Sequence, residues 1–67
     1  MRCKTKLRER REALHLTQRQ VADMLGIAES AYQRYEYGTN VPVVYTAIKL
    51  ARALNASVEA LFVIEDK

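Results

Sequence analysis

Between residues 17 and 38 two short amphipathic segments meet at a glycine, and that junction constrains the chain more than any other feature. Thr17 followed three residues later by Gln20 is a capping box, which opens a helix over residues 18–25. Val21, Ala22 and Leu25 form its apolar stripe. Gly26 then stands where a left-handed residue ends a helix without a Cβ clash. Ile27 follows and plugs the corner. A second helix is predicted over residues 29–37. Tyr32 and Tyr35, three apart, face inward, while Glu29, Ser30, Gln33 and Arg34 fall on the opposite side at i, i+4 spacing. Gly38 ends it.

Three further helices flank this pair. In the first, over residues 5–14, Leu7, Arg11 and Leu14 share a face. An arginine in an apolar stripe needs a carboxylate partner if it is buried. The fourth helix covers residues 43–54 after Pro42, with Val44, Ala47, Ile48, Ala51 and Leu54 inward, Lys49 and Arg52 outward, and Asn55 as the stop. The fifth is short: Ser57 caps it, and Val58, Leu61 and Phe62 point inward. Two glycines and one proline weigh against a turn-rich all-β fold. The expectation is an all-α, five-helix single domain over residues 1–67, since 67 residues leave no room for a second module.

Composition excludes several classes. At 49% hydrophobic and 28% charged residues the chain has a globular mix rather than the signature of disorder. No apolar run approaches the roughly 18 residues of a membrane span. The basic start lacks the apolar stretch of a signal peptide. One cysteine forbids an internal disulfide, which fits a reducing, cytoplasmic compartment. Cys3 and His15 cannot complete a four-ligand zinc site, so no metal is expected. They read as a free terminal thiol and a helix-end histidine; basic neighbours are all that supports a redox role for Cys3. No cofactor fingerprint and no nucleophile–base–acid set is present, so an enzyme is not expected. The net charge of +3 is unevenly distributed. Residues 1–19 hold seven basic and two acidic side chains, and residues 20–67 hold four and six. That polarity suits an anionic partner at one end, or a solvated charged helix face.

Residues 17–37 have the layout of a helix-turn-helix, in which the second helix enters a DNA major groove. The chain resembles the lambdoid-phage repressor and Cro-type helix-turn-helix family, often called the XRE family of bacterial regulators. The resemblance is carried by Leu7-Arg8-Glu9-Arg10-Arg11-Glu12, Leu16-Thr17-Gln18, Val21-Ala22 and Leu25-Gly26-Ile27. It continues through Arg34-Tyr35-Glu36-Tyr37-Gly38, Pro42, Ile48-Lys49-Leu50-Ala51-Arg52-Ala53-Leu54 and Ser57-Val58-Glu59-Ala60-Leu61-Phe62. Together these cover roughly residues 6–62.

The resemblance implies a compact, lambda-repressor-like domain in which Arg11 pairs with Glu36. It implies DNA contacts at Gln18, Arg19, Glu29, Ser30, Gln33, Arg34, Tyr37, Thr39 and Asn40. Gln18 and the amides at the start of its helix would meet a phosphate. Arg34 would pair with guanine, Gln33 with adenine, and Glu29 with cytosine N4. Capping its own helix is an equally good use for Glu29. Thr39 and Asn40 would give phosphate contacts through side chains or amides. Four positions, Ala28, Tyr32, Tyr35 and Val43, depart from the family's pattern. Ala28 and Val43 stand where serine or threonine caps are usual, and tyrosines replace the aliphatic residues inside the second helix of the pair. Tyr35 reads as core and Tyr37 as partly exposed.

The expected function is that of a sequence-specific, double-stranded-DNA-binding transcriptional repressor, cytoplasmic and nucleoid-associated when bound. Specificity from one small domain calls for two half-sites, hence a homodimer. The expected interface is Leu61, Phe62, Val63 and Ile64, with Val63-Ile64 as a short intersubunit strand; otherwise the tail folds back on its own core. No small-molecule effector is expected. The alternative is a protein-interaction module on the same fold, an antitoxin or an anti-repressor, supported by the tyrosine-rich helix and Glu29.

Overall fold

The chain opens with a strand. In the computed structural model, residues 2–65 are described, with side chains over residues 4–64. The order is β1 (Arg2–Thr5), α1 (Leu7–Ala13), α2 (Gln18–Leu25), α3 (Glu29–Tyr37), α4 (Val44–Ala53), α5 (Val58–Leu61) and β2 (Phe62–Glu65). The five expected helices are present, and a two-stranded sheet is added to them. β1 and β2 pair antiparallel, with Cys3 opposite Ile64, Lys4 opposite Val63 and Thr5 opposite Phe62. Helix α1 therefore starts at Leu7 rather than at residue 5. The strand escapes a local reading because it depends on a partner at the other end of the chain.

Helix ends follow the local chemistry. The Thr17 hydroxyl accepts from the Gln20 N–H at 3.0 Å, and the Gln20 side chain accepts from the Thr17 N–H at 2.8 Å. Gly26 ends α2 at φ 71°, a left-handed conformation that disfavours any residue with a Cβ. Ser57 caps α5 through the Ala60 N–H at 3.1 Å. Ala28 and Val43 make no side-chain cap. Each missing cap forgoes about 1 kcal/mol of local helix stability.

Leu7, Val21, Leu25, Tyr32, Leu50, Leu54 and Leu61 form the sealed centre. Leu14, Ile27, Tyr35 and Phe62 pack around it. Helix α4 turns differently from the expected stripe. Ala47, Leu50 and Leu54 face the core, whereas Val44 and Ile48 are exposed. Val58, expected inward, also reaches solvent. The rotation brings Lys49 inward, half-buried, with Nζ donating to the Leu25 carbonyl at 3.0 Å. A cation there satisfies a last-turn carbonyl of α2 and complements its dipole. Its ammonium also lies 5.3 Å from the centroid of the Tyr45 ring.

The basic N-terminal segment is partly consumed by the fold. Arg10 Nε donates to the Leu54 carbonyl at 2.7 Å and its Nη2 to that of Asn55 at 3.0 Å, closing the end of α4. Arg8 faces Glu12 at 3.3 Å on the exposed side of α1. Reading residues 1–19 as one anion-seeking cluster therefore overstates what that end offers. The side chains of Arg2 and Cys3 lie outside the described residues, and with them any redox role of Cys3.

Candidate nucleic-acid interface

Helix α3 is seated by its inner side. The Tyr32 side chain is fully enclosed and Glu36 is 8% exposed, while Tyr35 is half-buried. The Tyr32 hydroxyl has no hydrogen-bond partner of regular geometry among the described residues. Burial, and then the Glu36 carboxylate beside it, push this phenol well above the ordinary tyrosine range.

Glu36 is the hinge of the arrangement. Its Oε2 accepts from Arg11 Nε at 2.8 Å, and its Oε1 from Arg11 Nη2 at 3.3 Å. Arg11 Nη1 donates to the Leu16 carbonyl at 2.9 Å. The guanidinium on the apolar face of α1 thus has its carboxylate, and the pair bridges α1 to α3. Burial alone would raise the Glu36 carboxyl. The hydrogen bonds and charge of Arg11, with a further bond from Gln18, outweigh it and hold the group below the usual carboxylate range. Arg11 is raised in turn, chiefly through its bond to Glu36.

Gln18, the first residue of α2, joins the same cluster. Its Nε2 donates to Glu36 Oε1 at 2.9 Å, and its Oε1 accepts from Gln33 Nε2 at 3.1 Å. Both glutamines are half-buried. Gln33 is therefore turned partly towards α2, not presented freely outward as its position on the helix suggests. No local spacing signals this contact, because the two residues are 15 positions apart.

The remaining surface of α3 is open. Glu29, Ser30, Arg34 and Tyr37 are exposed, and so are Arg19 on α2 and Thr39 and Asn40 beyond α3. Arg34 lies on the face opposite Tyr32, as its register on the helix requires. The Thr39 and Asn40 amides both donate to the Arg34 carbonyl, at 3.0 and 3.3 Å. They close the helix end and are not free for a ligand, so only the side chains of those residues remain available. At the start of α2, the Gln20 and Val21 amides are taken by Thr17.

The residues expected at a dimer interface divide. Leu61 is 1% exposed inside the chain's own core, so it has no surface to offer a partner. Phe62 and Val63 are half-buried and Ile64 is exposed. Val63 and Ile64 do form a strand, but it pairs with β1 of the same chain. Local sequence could not separate these cases, since an apolar tail looks alike whether it covers its own core or another. Val41, Pro42, Val44, Val58, Phe62 and Ile64, together with Ala47 and the acidic Glu59, line a groove beside β2. Among the described residues there is no group of three or more His, Cys, Asp or Glu that could hold a metal ion. Nor is any helix among them long and apolar enough to cross a membrane.

A helix-turn-helix family model matches residues 7–61. The cryptic phage CTXphi transcriptional repressor RstR of Vibrio cholerae is 38% identical over 61 residues, which span 91% of this chain and 54% of the repressor. The chain thus spans about half the length of that curated relative. An uncharacterised HTH-type transcriptional regulator of Archaeoglobus fulgidus is 33% identical over 64 residues, 96% of this chain and 91% of the regulator. Among solved structures, the restriction-modification controller protein C.AhdI of Aeromonas hydrophila superposes with a TM-score of 0.76 at 34% identity, covering 84% of this chain and 85% of its own. The lambda-repressor-like fold is shared with these proteins.

Proposed function

The chain belongs to the helix-turn-helix family, and on that footing we propose that it is a sequence-specific, double-stranded-DNA-binding transcriptional regulator acting as a repressor. The observation that carries this reading is the two-sidedness of α3. Tyr32 and Glu36 lock one side into the domain while Glu29, Ser30 and Arg34 stay exposed on the other. A rigidly seated helix with a short, polar outward face is what reading base edges in a major groove requires. In this reading Arg34 pairs with guanine, and Arg19, Thr39 and Asn40 meet phosphates through their side chains. Tyr37 flanks them. Glu29 stands in the first turn of α3, where its charge also favours the uncapped helix start. The named repressor among the relatives supports the sign of regulation.

The active species in this reading is a homodimer, with the groove at Val41, Val44, Val58, Phe62 and Ile64 as the contact in place of Leu61. The apolar character of these residues, and the exposure of Val41, Val44 and Ile64, support it. The protein works in the cytoplasm, on the nucleoid, without an enzymatic step, cofactor or small-molecule effector.

Selection of bound duplexes from a random pool tests the function. The expected result is a palindrome with half-sites about one helical turn apart, bound with an affinity that weakens steeply with salt. A chain that enriches no duplex is instead a protein-interaction module, an antitoxin or anti-repressor.

A further inference from the structure

From the cluster at Glu36 we infer that this buried carboxylate is a positioning residue for base recognition, setting the direction in which the Gln33 amide faces DNA. The inference rests on the DNA-binding reading and deepens it.

The chemistry runs through two amides in series. Ionised Glu36 has only acceptors, so whichever atom of Gln18 meets it must be the nitrogen. The observed contact is Gln18 Nε2 to Glu36 Oε1, 2.9 Å. That choice leaves Gln18 Oε1 pointing the other way, where it can only accept. Gln33 must then offer its own nitrogen, and its Nε2 stands 3.1 Å away. A free glutamine can flip its amide end for end at little cost, but this one cannot without setting oxygen against oxygen. Arg11 keeps the chain of dependence in place by holding Glu36 ionised, 2.8 Å away.

The consequence at the surface is a defined polarity. One Gln33 N–H is committed to α2. The carbonyl oxygen Oε1 and the second N–H remain, in one fixed order. An adenine offers the complementary donor and acceptor, N6–H and N7, in its major-groove edge. Gln33 in this state is a pre-oriented reader of that pair. Gln18 acts on base choice without touching a base, and Glu36 acts through Gln18.

The test uses the whole chain and the duplexes it selects from a random pool. The Gln33 position is defined as the base pair whose preference disappears in Gln33→Ala. Gln18→Met then cuts the relay and spares the Arg11–Glu36 pair. The ratio of binding to the preferred and next-best base at that position is expected to fall about fivefold or more, while ratios at Arg34-dependent positions stay the same. A purely structural or phosphate-binding Gln18 would weaken all sequences alike and leave the ratio intact, which overturns the inference. A second measurement reads the relay without DNA. In the free protein, proton exchange at Gln33 Nε2 should be slower than at Gln20, which bonds the Thr17 N–H through Oε1 rather than Nε2, and should speed up in Gln18→Met. Equal exchange at Gln33 and Gln20 in the unaltered chain overturns the inference. If the pool is not enriched at all, the DNA reading falls and the base-positioning role with it, whereas enrichment with an unchanged ratio in Gln18→Met removes only the relay.

Discussion

Arg11 Nε lies 2.8 Å from Glu36 Oε2, and this pair joins the first helix to the third across 25 residues of chain. Both side chains are nearly sealed from solvent, at 12% and 2% exposure. Losing one member leaves an unpaired charge inside the domain. Arg11→Met or Glu36→Leu alone should cost about 3–5 kcal/mol in urea unfolding. The double variant should recover much of that loss, since a buried pair can often be replaced by apolar residues. Single variants as stable as the parent would show that the pair is not the clamp described.

Acid sensitivity follows from the same carboxylate. The folded pKa of Glu36 lies below its ordinary value of 4.5, so its contribution is present above that value. As pH falls through 4.5 and on towards the folded pKa, that contribution is lost. Thermal unfolding followed between pH 7 and pH 3 should show the loss. Glu36→Gln should be less stable at neutral pH and show a shallower fall.

Tyr32 presents the opposite case. Its hydroxyl is enclosed without a regular hydrogen-bond partner among the described residues. An unsatisfied buried polar group costs roughly 1–3 kcal/mol, so Tyr32→Phe should be neutral or stabilising by about 1 kcal/mol. Because the folded pKa is raised above 10.0, the benefit of keeping the phenol neutral is complete below pH 10 and is lost as pH rises through the folded value. Alkaline unfolding should therefore move to higher pH in Tyr32→Phe. A loss above 1 kcal/mol at neutral pH would reveal a strong bond from the hydroxyl to Glu36.

The groove proposed as the self-contact makes a separate prediction. Val44 and Ile64 are 75% and 64% exposed, so Val44→Asp and Ile64→Lys should leave the fold intact. Sedimentation should then report one chain where the parent reports two, and binding to a palindromic duplex should weaken more than binding to a single half-site. A parent that sediments as one chain at high concentration would falsify the groove as a self-contact.

Arg34 and Arg19 should separate base reading from phosphate binding. Arg34→Ala should cost about 1–3 kcal/mol and relax preference at one position of the half-site. Arg19→Ala should weaken binding across all sequences and lower the salt slope by roughly one unit. Competition assays at several salt concentrations distinguish the two. Identical effects from both would undo the assignment of roles.

The local grammar of the chain was readable where chemistry acts over a few residues. Thr17 and Gln20 announce the start of α2, Gly26 and Gly38 the ends of two helices, and Ser57 the cap of the last. The inward direction of Tyr32 follows from helical period alone. The arginine at position 11 was legible as a problem in an apolar stripe, and family resemblance supplied its partner.

What lies beyond a few residues was decided by packing. Nothing near Arg2–Thr5 signals a strand, because its hydrogen-bonding partner is the distant β2. Helical period put Val44, Ala47, Ile48, Ala51 and Leu54 on one inward face of α4, whereas packing covers Ala47, Leu50 and Leu54 and leaves Val44 and Ile48 exposed. Only the arrangement of the other helices selects which set is covered. Gln18 and Gln33 each read as surface side chains, and they meet because α2 and α3 cross at their positions. Sequence alone therefore determined the helices, their ends and the polar outer face of α3, all set by bonds and sterics within one or two turns. Tertiary structure alone decided which apolar face stays uncovered and how the glutamines are oriented, because both depend on where separate elements come to rest against each other.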